Sequence, residues 1–121
     1  MKIMSEESGK TTLVDADFFE SRKQVGEGFI EKLVQVFNQE APKLIGKIQD
    51  SAENSNVSEL AELGHKLKGM CLNVGASQLS AIGKEIEHSA RSGESDQLDK
   101  LVAKLEEVLQ NTLEQMNRMI V

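Results

Sequence analysis

An all-α fold follows from three features of this sequence. Strong helix formers (Leu, Glu, Lys, Gln, Ala) dominate it, Pro42 is the only proline, and apolar residues recur at intervals of three and four with no strand-like alternation. Several amphipathic helices joined by short loops place neighbours in sequence antiparallel. The expected architecture is therefore an antiparallel up-and-down four-helix bundle with a short extra helix at the N-terminus. At 121 residues the chain is long enough for one domain with one core. It has no Trp or Tyr and only four Phe, so Leu, Ile, Val, Met and Ala must fill that core.

Residues 1–12 are polar and aperiodic and are expected to form a flexible tail ahead of a helical domain over 13–121. A short helix is predicted from about Asp15, which can cap it, to Val25, with Gly26 ending it in a left-handed turn. Phe18 and Phe19 would give it an apolar side. The next helix runs from about Glu27 to Asn54, with Phe29, Leu33, Val36, Phe37, Ala41, Leu44, Ile45, Ile48 and Ala52 as its apolar stripe. Pro42 interrupts that pattern and predicts a bend, because it lacks an amide hydrogen and crowds the carbonyl of Asn38. Asn56 and Glu59 read as a capping pair for a third helix reaching Asn73, which Gly75 terminates. Ser77 can cap a fourth helix ending near Arg91–Gly93. The last helix starts near Ser95 or Asp96 and carries Leu98, Leu101, Val102, Leu105, Val108, Leu109, Leu113, Met116 and Ile120.

Several classes of function drop out at this level. No apolar run approaches the length of a membrane span, and the start, Met1 to Ser8, turns acidic with no apolar signal core. The single cysteine, Cys71, cannot form an internal disulfide, which suits the cytoplasm. A net charge of −6 without a long basic block argues against nucleic acid as a partner. The opening Met1 favours a free-standing protein.

His65 stands out on the third helix. On a wheel of about 100° per residue with His65 at zero, Leu60, Leu63, Leu67, Met70, Cys71 and Val74 cluster around roughly 200°. They form the core stripe, so His65 points away from the core. Its neighbours on the outer face are Ala61, Lys68, Gly69 and Leu72, small or apolar residues where long charged side chains are usual. Gly69 costs about 1 kcal/mol relative to alanine inside a helix. Access is the simplest return on that cost, since nothing at Gly69 blocks a partner from the imidazole.

Hairpin geometry adds a second residue. His65 lies about nine residues before the centre of the turn at Asn73–Ser77, so Lys84 and Glu87 should stand at its height on the fourth helix. Leu79, Ile82, Gly83, Ile86 and Ala90 form the core side of that helix, and Ser80, Lys84, Glu87 and Arg91 run along one flank. If the flank faces His65, Glu87 can accept a hydrogen bond from one ring nitrogen and leave the other as a nucleophile. Glu87 could equally be a solvated charge, or pair with Arg91 four residues on.

The stretch Gly64-His65-Lys66-Leu67-Lys68-Gly69-Met70-Cys71-Leu72-Asn73-Val74-Gly75-Ala76 resembles the signature of histidine-containing phosphotransfer (HPt) domains. That signature is a histidine, then leucine, lysine and glycine two, three and four residues later, then an asparagine–apolar–glycine–alanine run. Ile86-Glu87-His88-Ser89-Ala90-Arg91-Ser92-Gly93 resembles the end of the family's following helix. Two departures are visible: Gly64 stands where the family often has alanine, and Met70-Cys71 replaces a pair of small polar residues. Neither removes a group the chemistry needs.

The resemblance implies a phosphohistidine carrier in a two-component phosphorelay. His65 would take a phosphoryl group on Nε2 from the aspartate of a receiver domain, in a response regulator or hybrid sensor kinase, and pass it on. By position Lys68 matches a lysine near the phosphoryl group, Glu87 a residue that hydrogen-bonds the active histidine, and Gly69 the glycine that keeps the ring accessible. Ala61, Lys66, Leu72 and Lys84 would meet the receiver. Mg²⁺ is expected on the receiver, with no cofactor on this chain. No kinase activity is expected, because no phosphate-binding glycine loop is present and the chain is too short for a nucleotide-binding domain beside the bundle. The domain is expected to be a monomer. The alternative is a helical adaptor that binds a partner through the His65 face without covalent chemistry. A metal site built on His65 and His88 is a weaker rival, since Lys68 and Gly69 stand where further ligands would be wanted.

Overall fold

The computed structural model describes residues 12–26 and 28–120, and among them it has five helices and no strand. The expected tail thus lies outside the described residues, apart from Thr12, as does Glu27. The helices are α1 (Ala16–Lys23), α2 (Phe29–Glu53), α3 (Val57–Leu72), α4 (Ser77–Ser92) and α5 (Ser95–Met119). Neighbours in sequence pack on one another from α1 to α5, and α5 packs back on α2 and closes a ring around the core. None of the described helices is long and apolar enough to cross a membrane.

The short α1 is capped as expected, Asp15 accepting from the Phe18 amide at 3.2 Å. It is tied to the far side of the fold. The Asp15 amide donates to the Gly75 carbonyl at 2.8 Å, Phe19 and Val14 are buried, and the Phe18 ring lies against Gly75. Gly75, with φ of +72°, ends α3 in the left-handed conformation, and a Cβ there would come within 2.9 Å of that ring. The left-handed residue between α1 and α2 is Gly28, not Gly26. Helix α1 stops at Lys23 with a right-handed cap at Gln24, so the reversal falls at the entrance to α2.

On α2 the core face is Ile30, Val34, Phe37, Ala41, Leu44, Ile45 and Ile48. Phe29 and Val36, expected inside, are exposed, and Leu33 is half-buried. Two apolar stripes one residue apart, Phe29/Leu33/Val36 and Ile30/Val34/Phe37, run along the first turns. Periodicity is satisfied by either, and packing selects the second. The helix passes through Pro42 without a break, with the Pro42 ring exposed.

The α2–α3 turn makes half of the expected capping box. Asn56 accepts from the Glu59 amide at 3.2 Å, but the Glu59 carboxylate takes the hydroxyl of buried Ser51 rather than the Asn56 amide, which goes to the Ser51 carbonyl at 2.8 Å. At the next turn Ala76 is the N-cap of α4, without a side-chain cap; Ser77 is already helical and its hydroxyl turns back to the Gly75 carbonyl. Gly93, with φ of +75°, closes α4, and Glu94 precedes α5. Of the apolar residues expected inside on the last helix, Leu98, Leu101, Leu105, Val108, Leu109 and Met116 are buried and Val102, Leu113 and Ile120 half-buried; Thr112 joins the core, its hydroxyl bonded to the Val108 carbonyl at 2.6 Å.

Helices α3 and α4 make the closest backbone approach. Gly64 faces Gly83: a Cβ on Gly64 would lie 2.8 Å from the Gly83 carbonyl oxygen, and one on Gly83 would lie 2.8 Å from the Lys68 amide nitrogen. His65 meets Glu87 and Lys68, three residues on, meets Ser80, so a step forward along α3 is a step back along α4. The replacement of alanine by Gly64 is therefore structural: it lets the backbones touch.

Candidate functional site

The α3/α4 hairpin builds the site. Leu60, Leu63, Leu67, Cys71 and Val74 are buried as the wheel requires, and Met70 is half-buried at the edge of the stripe. His65, on the opposite side, keeps 63% of its side chain exposed. The side of α3 that meets α4 is marked by Gly64, with Lys68 beside it and half-buried. On the other side of the ring Gly69 is exposed, and a Cβ there would meet nothing within 4 Å.

Ala61 is a correction. It was expected on the open face but is only 5% exposed. One turn before His65, it stands next to the Gly64 flank, where α4 comes close enough to cover it; it shares a surface groove with Val57, Ser58, Glu62, Ala90 and Arg91. The open collar of His65 is thus Gly69 and Leu72, the latter 58% exposed.

Glu87 faces His65. Its Oε1 lies 3.2 Å from Nδ1 of the imidazole, while its Oε2 accepts from Arg91 Nε at 3.3 Å and Nη2 at 3.0 Å. The two uses of Glu87 that compete in the sequence are both realised, because a carboxylate has two oxygens. The Arg91 guanidinium first, and the His65 hydrogen bond second, hold the Glu87 carboxyl below its usual value of 4.5. Nε2 of His65 makes no hydrogen bond among the described residues.

Lys66, Lys68 and Lys84 form no ion pair with His65 or Glu87 among the described residues. Lys66 is exposed on the α2 side, in a groove with Lys47, Asp50, Glu59, Glu62 and Leu63, and Lys84 is exposed on α4. The Lys68 backbone carbonyl receives the hydroxyl of Ser80, which is buried on the same flank of α4 as Glu87. His88 is exposed on α4. Among the described residues no group of three or more His, Cys, Asp or Glu is placed to hold a metal ion. Burial pushes the Cys71 thiol up to about 12, so it is a core residue and no nucleophile.

An exposed imidazole with one nitrogen held and the other open suits transfer of a group through the ring. The family model described as the Hpt domain matches residues 32–118. The chain belongs to the HPt domain family. No curated protein and no solved structure gives a significant match. HPt domains serve phosphotransfer in two-component signalling, as phosphocarriers without kinase activity that interact with receiver domains. Within this HPt domain the matched region covers the ring of α2 to α5 and leaves α1 outside.

What sequence reasoning missed at the site is the Gly64–Gly83 crossing and the simultaneous grip of Arg91 on Glu87. A signal for the first was present: two glycines, one per helix, on either side of the hairpin turn.

Proposed function

We propose that this HPt domain is a phosphohistidine carrier that accepts a phosphoryl group on Nε2 of His65 from the aspartyl phosphate of a receiver and returns it to a second receiver. The observation that carries the reading is the division of the imidazole: Nδ1 faces the Glu87 carboxylate, and Nε2 is open. An ionised carboxylate only accepts, so the ring proton sits on Nδ1 and the lone pair on Nε2.

That lone pair attacks phosphorus in line. The N–P bond forms, the P–O bond to the aspartate breaks, and the aspartate leaves with the electron pair. No proton has to depart. The ring becomes cationic, with hydrogen on Nδ1 and phosphorus on Nε2, and Glu87 sits against the developing charge. Lys68 and Lys84 offset phosphate charge. Gly69 leaves the approach open. Leu72 gives the receiver an apolar contact, and Lys66 a charge at the rim. The receiver contributes its acidic pocket and Mg²⁺.

We read the α2–α5 ring as an up-and-down antiparallel bundle; the α3/α4 register supports it. We further read the domain as a cytoplasmic monomer with neither nucleic acid nor membrane as partner; the net charge of −6 supports the absence of nucleic acid.

The test is incubation with phosphorylated receivers. The wild-type chain should acquire acid-labile phosphate, whereas His65→Gln should fold and acquire none. Undiminished label on His65→Gln would refute the assignment. Receiver binding without label on the wild type would leave a non-covalent adaptor.

A further inference from the structure

We propose that Arg91 is a positioning residue for His65: by gripping one oxygen of Glu87 it presents the other to Nδ1, and so keeps the Nε2 lone pair free. The inference rests on the reading of His65 as the phosphoryl acceptor. It concerns a residue that does not touch the reacting nitrogen.

The geometry is a three-residue chain across the α3/α4 seam. Arg91 stands one helical turn beyond Glu87 on α4, and both its Nε and its Nη2 donate to the same oxygen, Oε2. Two donors on one oxygen hold Oε2 in place. Oε1 is then directed at His65 Nδ1, 3.2 Å away on α3. A glutamate has three side-chain torsions and, left to itself, would spread over many rotamers. Here its side chain is only 18% exposed, between a guanidinium and an imidazole.

Glu87 is ionised at neutral pH and is an obligatory acceptor there; Arg91, the largest cause of its lowered carboxyl, decides where that acceptor stands. An obligatory acceptor requires Nδ1 to donate, and the ring proton is committed to the nitrogen away from phosphorus. Arg91 lines the groove that also includes Val57, Ala61 and Ala90, so its side chain lies along the α3 flank that carries His65. A purely structural helix pair would serve equally well on the far side of α4. The pairing with the carboxylate that meets His65 is what assigns a role to this arginine.

The test uses the full chain with ¹⁵N-labelled histidine, at about pH 8.5 where an ordinary imidazole is neutral. The ring signals report the tautomer directly, and His88→Asn identifies the second histidine. In wild type the His65 proton should reside on Nδ1. In Arg91→Ala it should move partly to Nε2, and in Glu87→Gln at least as far, since an amide can donate as well as accept. Arg91→Lys retains the charge without the fork and should fall between wild type and Arg91→Ala. Transfer from a receiver charged with acetyl phosphate should slow about threefold in Arg91→Ala, the scale of an exposed ion pair, with receiver affinity unchanged. An Arg91→Ala protein with the wild-type tautomer and transfer rate would overturn the proposal, whatever its melting temperature. If Arg91→Ala does not fold, Arg91→Lys decides on the same two readouts. If the wild-type chain takes no phosphate but the tautomer still follows Arg91, the acceptor reading fails and the positioning role stands.

Discussion

The Gly64–Gly83 crossing makes alanine substitutions on α3 act with opposite signs at two positions. Alanine is the better helix former by about 1 kcal/mol, so propensity alone favours both Gly64→Ala and Gly69→Ala. At Gly69 nothing lies within 4 Å of the new methyl, and the gain of about 1 kcal/mol should be realised. At Gly64 the methyl would stand 2.8 Å from the Gly83 carbonyl oxygen and 2.9 Å from the Glu87 amide nitrogen, both backbone atoms, where ordinary contact begins at 3.4 Å. The shortfall of about 0.6 Å cannot be absorbed by turning a side chain, so α4 must move out. Overpacking of this kind costs about 1–3 kcal/mol, which leaves Gly64→Ala a net loss of about 1 kcal/mol after the propensity gain. The two variants should therefore differ by about 2 kcal/mol. Urea denaturation measures this, with equal slopes confirming that only stability has changed. The same displacement would stretch the His65–Glu87 contact from 3.2 Å to about 3.8 Å, past hydrogen-bonding range, so the ¹⁵N ring signals of His65 should change in Gly64→Ala and not in Gly69→Ala. If Gly64→Ala is as stable as Gly69→Ala and its His65 signals are those of wild type, the helix crossing is not set by this glycine pair.

Further outcomes follow from the surface and the site. Leu72→Asp should weaken receiver binding strongly through a faster off-rate while circular dichroism stays native, because Leu72 is 58% exposed and contributes nothing to the core. Lys66→Ala should lower the on-rate and reduce its salt dependence, read from binding kinetics at low and high salt. Gly69→Leu should slow phosphoryl transfer in single-turnover assays without loss of helicity, since its side chain would fill the open approach to the ring. Glu87 gives a pH signature. Its carboxyl is lowered in the folded state, so its contribution is present above the ordinary value of 4.5 and is lost as pH falls through the lowered value; the stability difference between wild type and Glu87→Gln should shrink over that acid range in denaturation curves.

Much of the site was legible in the sequence because helices have a fixed period. Once α3 is recognised, 100° per residue separates Leu60, Leu63, Leu67 and Cys71 from His65, and the burial pattern obeys it. Hairpin arithmetic then brings Glu87 to the height of His65, and the two do meet. Turn chemistry was legible wherever one residue type has a unique conformational use, as at Gly75 and Gly93 with their positive φ, and failed between α1 and α2, where Gly26 and Gly28 compete for one left-handed position.

The sequence by itself determined what depends on local period and residue chemistry: the five helices among the described residues, the outward direction of His65, and the open place beside it at Gly69. Tertiary structure decided whatever depends on the distance between helices. It buried Ala61, which a wheel leaves outside, because the neighbouring Gly64 lets α4 come close enough to cover it. It chose Ile30 and Val34 over Phe29 and Val36, two stripes a single helix cannot tell apart. It also let Glu87 serve His65 and Arg91 together, which needs two helices held at one spacing. The period is a property of one chain segment, whereas that spacing is set by the bulk of the residues both helices place at their crossing.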